Sequence, residues 1–342
     1  MTTAWISAGT RPISVVVAGA GAIGLTLAAR LGRAGHAVSV LARGATRAAI
    51  AANGVTLEDL DGVHTVPVTI AEAGITPAPD LLILSVKAQD LPTIATAAAP
   101  FIGPETRILP LVNGIPWWLA ARDPDHAEAR ALLDPEGVLA RIIPAARILG
   151  AVTFITAERT APSVARTFNP MKLVIGPAVE GAPMGDAEAL ARVLDGAGLI
   201  AEATPRIADV VWLKAVNNLS TNPLSVVTGE TLEGMCSGPP LKAIVTGIVT
   251  EAREVAAACG AEGIPPAEAL VAVSGSLGAV RTSMLQDHDA GLPLELAAIG
   301  DAVVALGAVH GLSMPRTRTI LDLARFRMRA KPRASEPRKE IA

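Results

Sequence analysis

The first half of the chain alternates short apolar runs with segments of helical period. Apolar, β-rich runs at 13–18, 37–42, 81–86 and 107–112 predict strands, and helical patterns lie between them at 22–34, 45–53 and 89–99. That alternation predicts a parallel sheet with helices on both faces. Shorter β-like pieces surround Asp59-Leu60-Asp61-Gly62 within 54–70, and others follow at 147–156, 163–168 and 172–176, before a helix at 186–198. Residues 121–145 read as an inserted helix or loop of mixed charge. From about residue 205 the pattern changes to Ala/Leu/Val-rich helical segments at 207–221, 239–260, 266–276 and 294–310, punctuated by Gly and Pro. The expected organisation is an α/β domain over 1–203, a mostly α-helical domain over 204–328, and a disordered charged tail over 329–342. The chain shows no internal repeat.

The first predicted strand runs directly into Gly19-Ala20-Gly21-Ala22-Ile23-Gly24, and a helix follows. Strand, Gly-x-Gly-x-x-Gly and helix in that order form the dinucleotide fingerprint of a Rossmann-type domain. Gly19 permits the tight turn, Gly21 lets the backbone approach a pyrophosphate, and Gly24 lets helix and strand pack closely. The helix N-terminus offers N–H groups and a positive dipole end to the anion.

The second strand ends in Ala42-Arg43, with Arg47 one helical turn on. An NAD site places Asp or Glu there to bond the ribose 2′-hydroxyl. Here no carboxylate is expected to repel a 2′-phosphate, and two guanidiniums are available to pair with it, which favours NADP(H) over NAD. Solvated surface charge is the plain alternative for both arginines. The third and fourth strands end at Lys87 and at Asn113-Gly114. Ligands of open α/β sheets bind beyond the carboxyl ends of the strands, so Lys87 is placed to reach phosphate or ribose oxygens. Asn113 is placed to hold a nicotinamide amide or a substrate oxygen. A solvated strand end and an Asn-Gly turn are the competing readings.

Composition narrows the class. A chain of 342 residues, 51% hydrophobic, can bury the core of two domains. Its net charge of −3, no Tyr, four Phe and four Trp leave neither a basic footprint nor stacking faces for nucleic acid. Cys236 and Cys259 make no disulfide framework and no metal-ligand spacing, so buried free thiols in a reducing compartment are expected, with no metal. No basic, then apolar, leader precedes the first strand, and the apolar stretch from Ile13 to Leu31 reads as strand and helix rather than as a membrane span. A cytoplasmic location follows as the expectation.

The helical half carries the chemical signal. Lys214, Asn218 and Asn222 follow one another at i, i+4 steps and share a face. One Lys and two Asn beside apolar residues are costly to bury without purpose. A desolvated lysine, its pKa lowered from about 10.4, suits a general acid. A solvated polar stripe is the alternative. Downstream, Ser283 and Glu295 stand on either side of a break at Gly291 and Pro293, and come from neighbouring helices. Glu295 can orient Lys214 or accept from a substrate hydroxyl, or simply match a helix dipole.

With these segments assembled, the chain resembles the ketopantoate (2-dehydropantoate) 2-reductases over most of 13–328. The motifs that carry the resemblance are GAGAIG (19–24), Arg43, SVKAQD (85–90), Asn113-Gly114, WLKAVNNLSTNPL (212–224) and TSMLQDHDAGLPLE (282–295). The resemblance implies a Rossmann-type domain joined to a helical domain of the 6-phosphogluconate-dehydrogenase kind. It implies NADPH-dependent reduction of the C2 carbonyl of ketopantoate to pantoate, in pantothenate and coenzyme A biosynthesis. By it, Lys214 is the proton donor and Glu295 its catalytic companion. Asn113, Asn218, Asn222 and Ser283 line the substrate site, and Gly19 to Gly24, Arg43, Lys87 and Asn113 hold the cofactor. Ile115-Pro116-Trp117-Trp118 departs from the glycine-containing turn usual in the family and puts two indoles beside the substrate pocket. Three alternatives stay open: another 2-oxo acid, a β-hydroxyacid dehydrogenase (Lys-x-x-Asn-Asn stands at 214–218), and a non-catalytic NADPH-binding protein. The expected partner is a small 2-oxo acid, and an apolar face on the last helices is compatible with a homodimer.

Overall fold

Strand β1 (Ser14–Ala18) is buried from Val15 onward because it is the central strand of a five-stranded parallel sheet, which explains its unbroken apolar run. The computed structural model describes Trp5 and residues 11–329. The chain continues through α1 (Ala22–Arg33), β2 (Ala37–Leu41), α2 (Gly44–Asn53), β3 (Val55–Asp59), β4 (Gly62–Val66), β5 (Thr69–Ile70), β6 (Leu81–Leu84), α3 (Leu91–Ala98) and β7 (Arg107–Pro110). The parallel sheet has the order β5-β2-β1-β6-β7. Residues 121–145, read as an inserted helix or loop, are helical in part. They contribute short helices, with α4 (Trp117–Ala120) before them and α5 (Ala127–Leu133) and α6 (Val138–Ile142) within.

Next come β8 (Leu149–Phe154), β9 (Ala157–Ala161), β10 (Val164–Thr167), β11 (Lys172–Pro177), α7 (Gly185–Gly196) and β12 (Ile200–Ala203). They build a four-stranded sheet, β4-β3-β10-β9, and a three-stranded sheet, β12-β11-β8. Helix α1 buries Leu25, Leu27, Ala28 and Leu31 in the same core as Val15, Val17, Ile83, Leu173 and Leu190. The amphipathic pattern of α1 and the apolar strands therefore meet in one core.

The chain divides into two compact units, with the division between Val211 and Trp212, inside α8 (Ile207–Thr228). The second unit is helical: α9 (Leu232–Ser237), α10 (Pro239–Ala258), α11 (Ala267–Ser276), α12 (Ser283–Asp289), a π-turn over Ala297–Asp301, α13 (Ala302–Val309) and α14 (Pro315–Arg329). Val245, Ile248, Val249, Val255, Val303, Leu306 and Leu321 are buried here. A buried carboxylate, Glu251 on α10, accepts from the backbone N–H of Arg316 (3.1 Å) and Thr317 (3.0 Å) and from the Thr317 hydroxyl (2.7 Å). It thereby satisfies orphan donors at the start of α14 and sets a negative charge at that positive dipole end.

Three predicted elements differ. Helix α8 runs past its expected end at 221 and through Pro223. Burial of Leu219, Leu224 and Val226 on both sides of the proline outweighs the lost backbone bond. The segment expected as a helix from 294 begins with the π-turn, which leaves Glu295 just ahead of it. Helices α9 and α14 lay outside the helical segments read from the sequence. Arg329, expected to begin the tail, ends α14, and residues 330–342 lie outside the described residues. Among the described residues no helix is long and apolar enough to cross a membrane. Neither Cys236 nor Cys259 is in a disulfide. Cys236 is buried, but Cys259 is half-exposed, with its Sγ 3.7 Å from His310 Nε2.

Candidate functional site

Chemistry-bearing residues of the first unit collect at the carboxyl end of the parallel sheet. Gly19 follows β1 with φ +110°, a conformation that L side chains rarely adopt. A Cβ on Gly19 would lie 2.2 Å from the Ser85 carbonyl oxygen, and one on Gly24 would lie 2.0 Å from the Gly19 carbonyl oxygen. These two glycines serve the close packing of β1, α1 and the end of β6. Gly21 is different: it is exposed, has extended backbone (φ −76°, ψ −177°), and a Cβ there would meet nothing within 4 Å. The first turn of α1 carries no acidic residue, so its N-terminus is not pre-neutralised. An open backbone surface at a positively polarised helix end fits a diphosphate.

Arg43, exposed, is the N-cap residue of α2 and makes no ion pair among the described residues. Arg47 does: its guanidinium pairs with Glu72. The expectation that no carboxylate stands near this end of the sheet is therefore corrected. Glu72 follows β5, just beyond the β-like stretch read at 54–70, and no local pattern places it beside Arg47. Lys87 follows β6, is half-buried, and accepts the Asp90 N–H through its carbonyl (2.9 Å). Asn113, also half-buried, follows β7 and precedes Gly114 at φ +78°.

Trp117 and Trp118 are buried (4% and 5% exposed) in the first unit. A Cβ on Gly150 would lie 2.7 Å from the Trp118 ring, and the Arg122 guanidinium stacks 5.6 Å from the centroid of that ring. The indoles expected to line a pocket are core residues. Aromatic bulk found its space where β8 carries a glycine, a complementarity the local sequence does not display.

In the second unit, Lys214, Asn218 and Asn222 lie along α8, with Lys214 and Asn218 half-buried and Asn222 buried. Burial pushes the Lys214 ammonium down to about 8, against the pull of the Glu295 carboxylate, which favours the charged form. Glu295 is itself buried, and its carbonyl accepts the Ile299 N–H (3.0 Å). The structure thus couples Lys214 to Glu295 within one unit. A π-turn beside such a residue is a frequent companion of functional sites.

Ser283 is exposed at the first position of α12. The preceding Thr282 caps that helix, accepting the Leu285 N–H (3.2 Å). Thr282 also meets the Ser225 hydroxyl at 2.6 Å, and Ser225 donates to the Asn222 carbonyl at 2.6 Å. With the Ser225 proton committed to that carbonyl, Thr282 must donate to Ser225. The resulting chain runs from the Leu285 N–H through two buried hydroxyls to the Asn222 carbonyl, and it ties α12 to α8. Sequence reasoning assigned Ser225 and Thr282 no role, because a buried serine in a helix carries no pattern of its own. Ser225→Ala leaves the Thr282 donor without an acceptor and is expected to destabilise the protein by about 1–3 kcal/mol. Thr282→Ser, which keeps the hydroxyl and adds no bulk to this buried site, is expected to lose much less. Chemical denaturation of the two variants checks this; equal loss in both would sink the hydroxyl argument.

Residues 15–180 match the family model described as "Ketopantoate reductase PanE/ApbA", and 206–328 match "Ketopantoate reductase PanE/ApbA C terminal". A 2-dehydropantoate 2-reductase of Mesorhizobium japonicum is 31% identical, over 92% of this chain and 97% of that one. A solved structure from Ralstonia solanacearum, assigned to the ketopantoate reductases, superposes with a TM-score of 0.85 at 35% identity, covering 92% of this chain and 97% of that one. A D-mandelate dehydrogenase solved with NADH and anilino(oxo)acetate shares the fold, with a TM-score of 0.78 at 21% identity, over 92% and 98% of the two chains.

Proposed function

The chain belongs to the ketopantoate reductase family, and on that premise we propose that it reduces ketopantoate to pantoate with NADPH, a step of pantothenate and coenzyme A biosynthesis. The observation that carries the reading is the Lys214–Glu295 pair: a lysine whose pKa is lowered to about 8 beside a buried carboxylate. A group that titrates near neutral pH is well matched to giving and regaining a proton. The curated relative named above as a 2-dehydropantoate 2-reductase supports the substrate.

Reduced nicotinamide, when bound, supplies a hydride to the C2 carbonyl carbon of the 2-oxo acid. Gly19 to Gly24 give the diphosphate a backbone cradle, Arg43 takes the 2′-phosphate, and Lys87 and Asn113 bind further cofactor oxygens. The Lys214 ammonium polarises the C2 carbonyl oxygen and transfers a proton to it as negative charge develops there. Water then reprotonates the amine. Glu295 holds the ammonium and, with Ser283, accepts or donates at the distal hydroxyl of the substrate. Asn113, Asn218 and Asn222 bind its carboxylate and carbonyl through amide donors.

The test follows loss of reduced-nicotinamide absorbance with ketopantoate, beside a panel of other 2-oxo acids and with NADH in place of NADPH. Ketopantoate turnover well above the panel is the expected result. Turnover only of other oxo acids would move the substrate while keeping the Lys214 chemistry. Oxidation of 3-hydroxy acids alone would overturn the reading.

A further inference from the structure

We propose that Glu72 is a cofactor-selecting residue: its carboxylate, held against Arg47 beside the carboxyl end of β2, limits the preference for a dinucleotide bearing a 2′-phosphate over one with a free 2′-hydroxyl. The proposal rests on the reading that the β1–turn–α1 segment holds a nicotinamide dinucleotide.

Backbone geometry places Glu72. Strand β5 pairs in parallel with β2, with Ser39 opposite Thr69 and Val40 opposite Ile70. The Ala71 N–H then donates to the Val40 carbonyl at 3.0 Å, so the chain stays beside β2 to within one residue of Glu72. Glu72 is next pinned by a turn. Its N–H donates to the Thr76 hydroxyl at 3.0 Å, and its carbonyl accepts from Ile75 (3.1 Å) and Thr76 (2.9 Å). Its position beside β2 is therefore set by the main chain and not by the ion pair alone. From the other side comes Arg47, on the first turn of α2 and one turn beyond Arg43. Its guanidinium meets the Glu72 carboxylate, and both side chains remain open to solvent (51% and 41% exposed).

The adenosine ribose of a dinucleotide lies beyond the end of the second strand of such a fold. Two guanidiniums there present two positive charges, and Glu72 cancels one of them. A phosphate monoester carries about −1.5 to −2 near pH 7, so it feels that carboxylate almost twice as strongly as a unit charge would. The uncharged 2′-hydroxyl feels no such repulsion. At separations of about 6 Å in water the interaction is worth roughly three- to tenfold in affinity, and it is screened by salt.

The experiment is calorimetric titration of the full chain with NADPH and with NADH separately, without substrate, at low and high ionic strength. Glu72→Gln keeps the shape and removes the charge. It is expected to raise the NADPH:NADH affinity ratio about three- to tenfold at low salt, with a smaller gain at high salt. Arg47→Gln is expected to lower the same ratio. A ratio within about twofold of wild type in Glu72→Gln overturns the proposal. So does a fall in that ratio, which would mean that Glu72 serves the phosphate by holding Arg47. A wild-type chain that binds neither dinucleotide overturns the cofactor reading itself, and this inference with it. Both side chains are solvent-exposed, so the variants keep the core intact.

Discussion

Lys214→Ala is expected to lower kcat by about 10²- to 10⁴-fold while NADPH affinity stays within about twofold of wild type. The split follows from placement: Lys214 lies on α8 in the helical unit, whereas the residues read as holding the dinucleotide belong to the first unit. A loss of cofactor affinity as large as the loss of turnover would remove Lys214 from the chemistry. The pH profile gives a second readout. A general acid must be protonated, so activity is expected to hold below the Lys214 pKa of about 8 and to fall as pH rises through it. The sign for stability is the opposite. The native pKa lies below the ordinary lysine value of 10.5, so between these two values the unfolded chain binds more protons than the native one. Over that window this lysine's contribution to stability grows with pH. Activity lost near pH 8 without loss of structure, and the disappearance of that limb in Lys214→Arg, would together assign the titration to this residue. A flat profile through pH 8 would count against it.

The features of the site that could be read in advance are those written in local pattern. Gly-x-Gly-x-x-Gly after an apolar strand marks a turn because only glycine supplies φ +110° at Gly19 and the close approach at Gly24. Lys214, Asn218 and Asn222 were legible because helical spacing puts them on one face. The remainder depends on partners distant in sequence. Strand β5 is two residues long, at the end of the β-like stretch read at 54–70, and no window of sequence shows that it pairs with β2 or brings Glu72 beside Arg47. Pro223 predicts a helix end, but the burial of the residues around it keeps α8 going. The Ile115-Pro116-Trp117-Trp118 segment is expected beside the pocket because it directly follows Asn113-Gly114. It turned into core because Gly150, more than thirty residues on, leaves room for the ring. Local propensity finds elements, while tertiary packing decides which of their residues remain available to a ligand.

The three glycines of the fingerprint are expected to separate into two kinds when each is replaced by alanine. At Gly19 the new Cβ must tolerate φ +110° and a carbonyl oxygen at 2.2 Å, and at Gly24 a carbonyl oxygen at 2.0 Å. Both contacts are with backbone, so relief requires the turn after β1 to move away from the end of β6 at Gly19, and from α1 at Gly24. Backbone strain and overpacking each cost about 1–3 kcal/mol; Gly24→Ala, inside α1 with no positive φ, incurs overpacking alone, and Gly19→Ala incurs both, roughly 2–6 kcal/mol. For a unit of this size that is a fall in Tm on the order of 5–15 °C. At Gly21 the Cβ meets nothing and the backbone is extended, so Gly21→Ala is expected to leave Tm within about 2 °C. Its methyl instead occupies the open face over the start of α1, where a diphosphate would approach the backbone N–H groups. Dinucleotide affinity is therefore expected to fall at least about tenfold in Gly21→Ala, with the fold untouched. Thermal unfolding and dinucleotide titration on the same three variants test both halves. Wild-type affinity in a well-folded Gly21→Ala would show that this turn is not the cradle. An unchanged Tm in Gly19→Ala would show that the turn after β1 and the end of β6 are less tightly joined than their backbone atoms indicate.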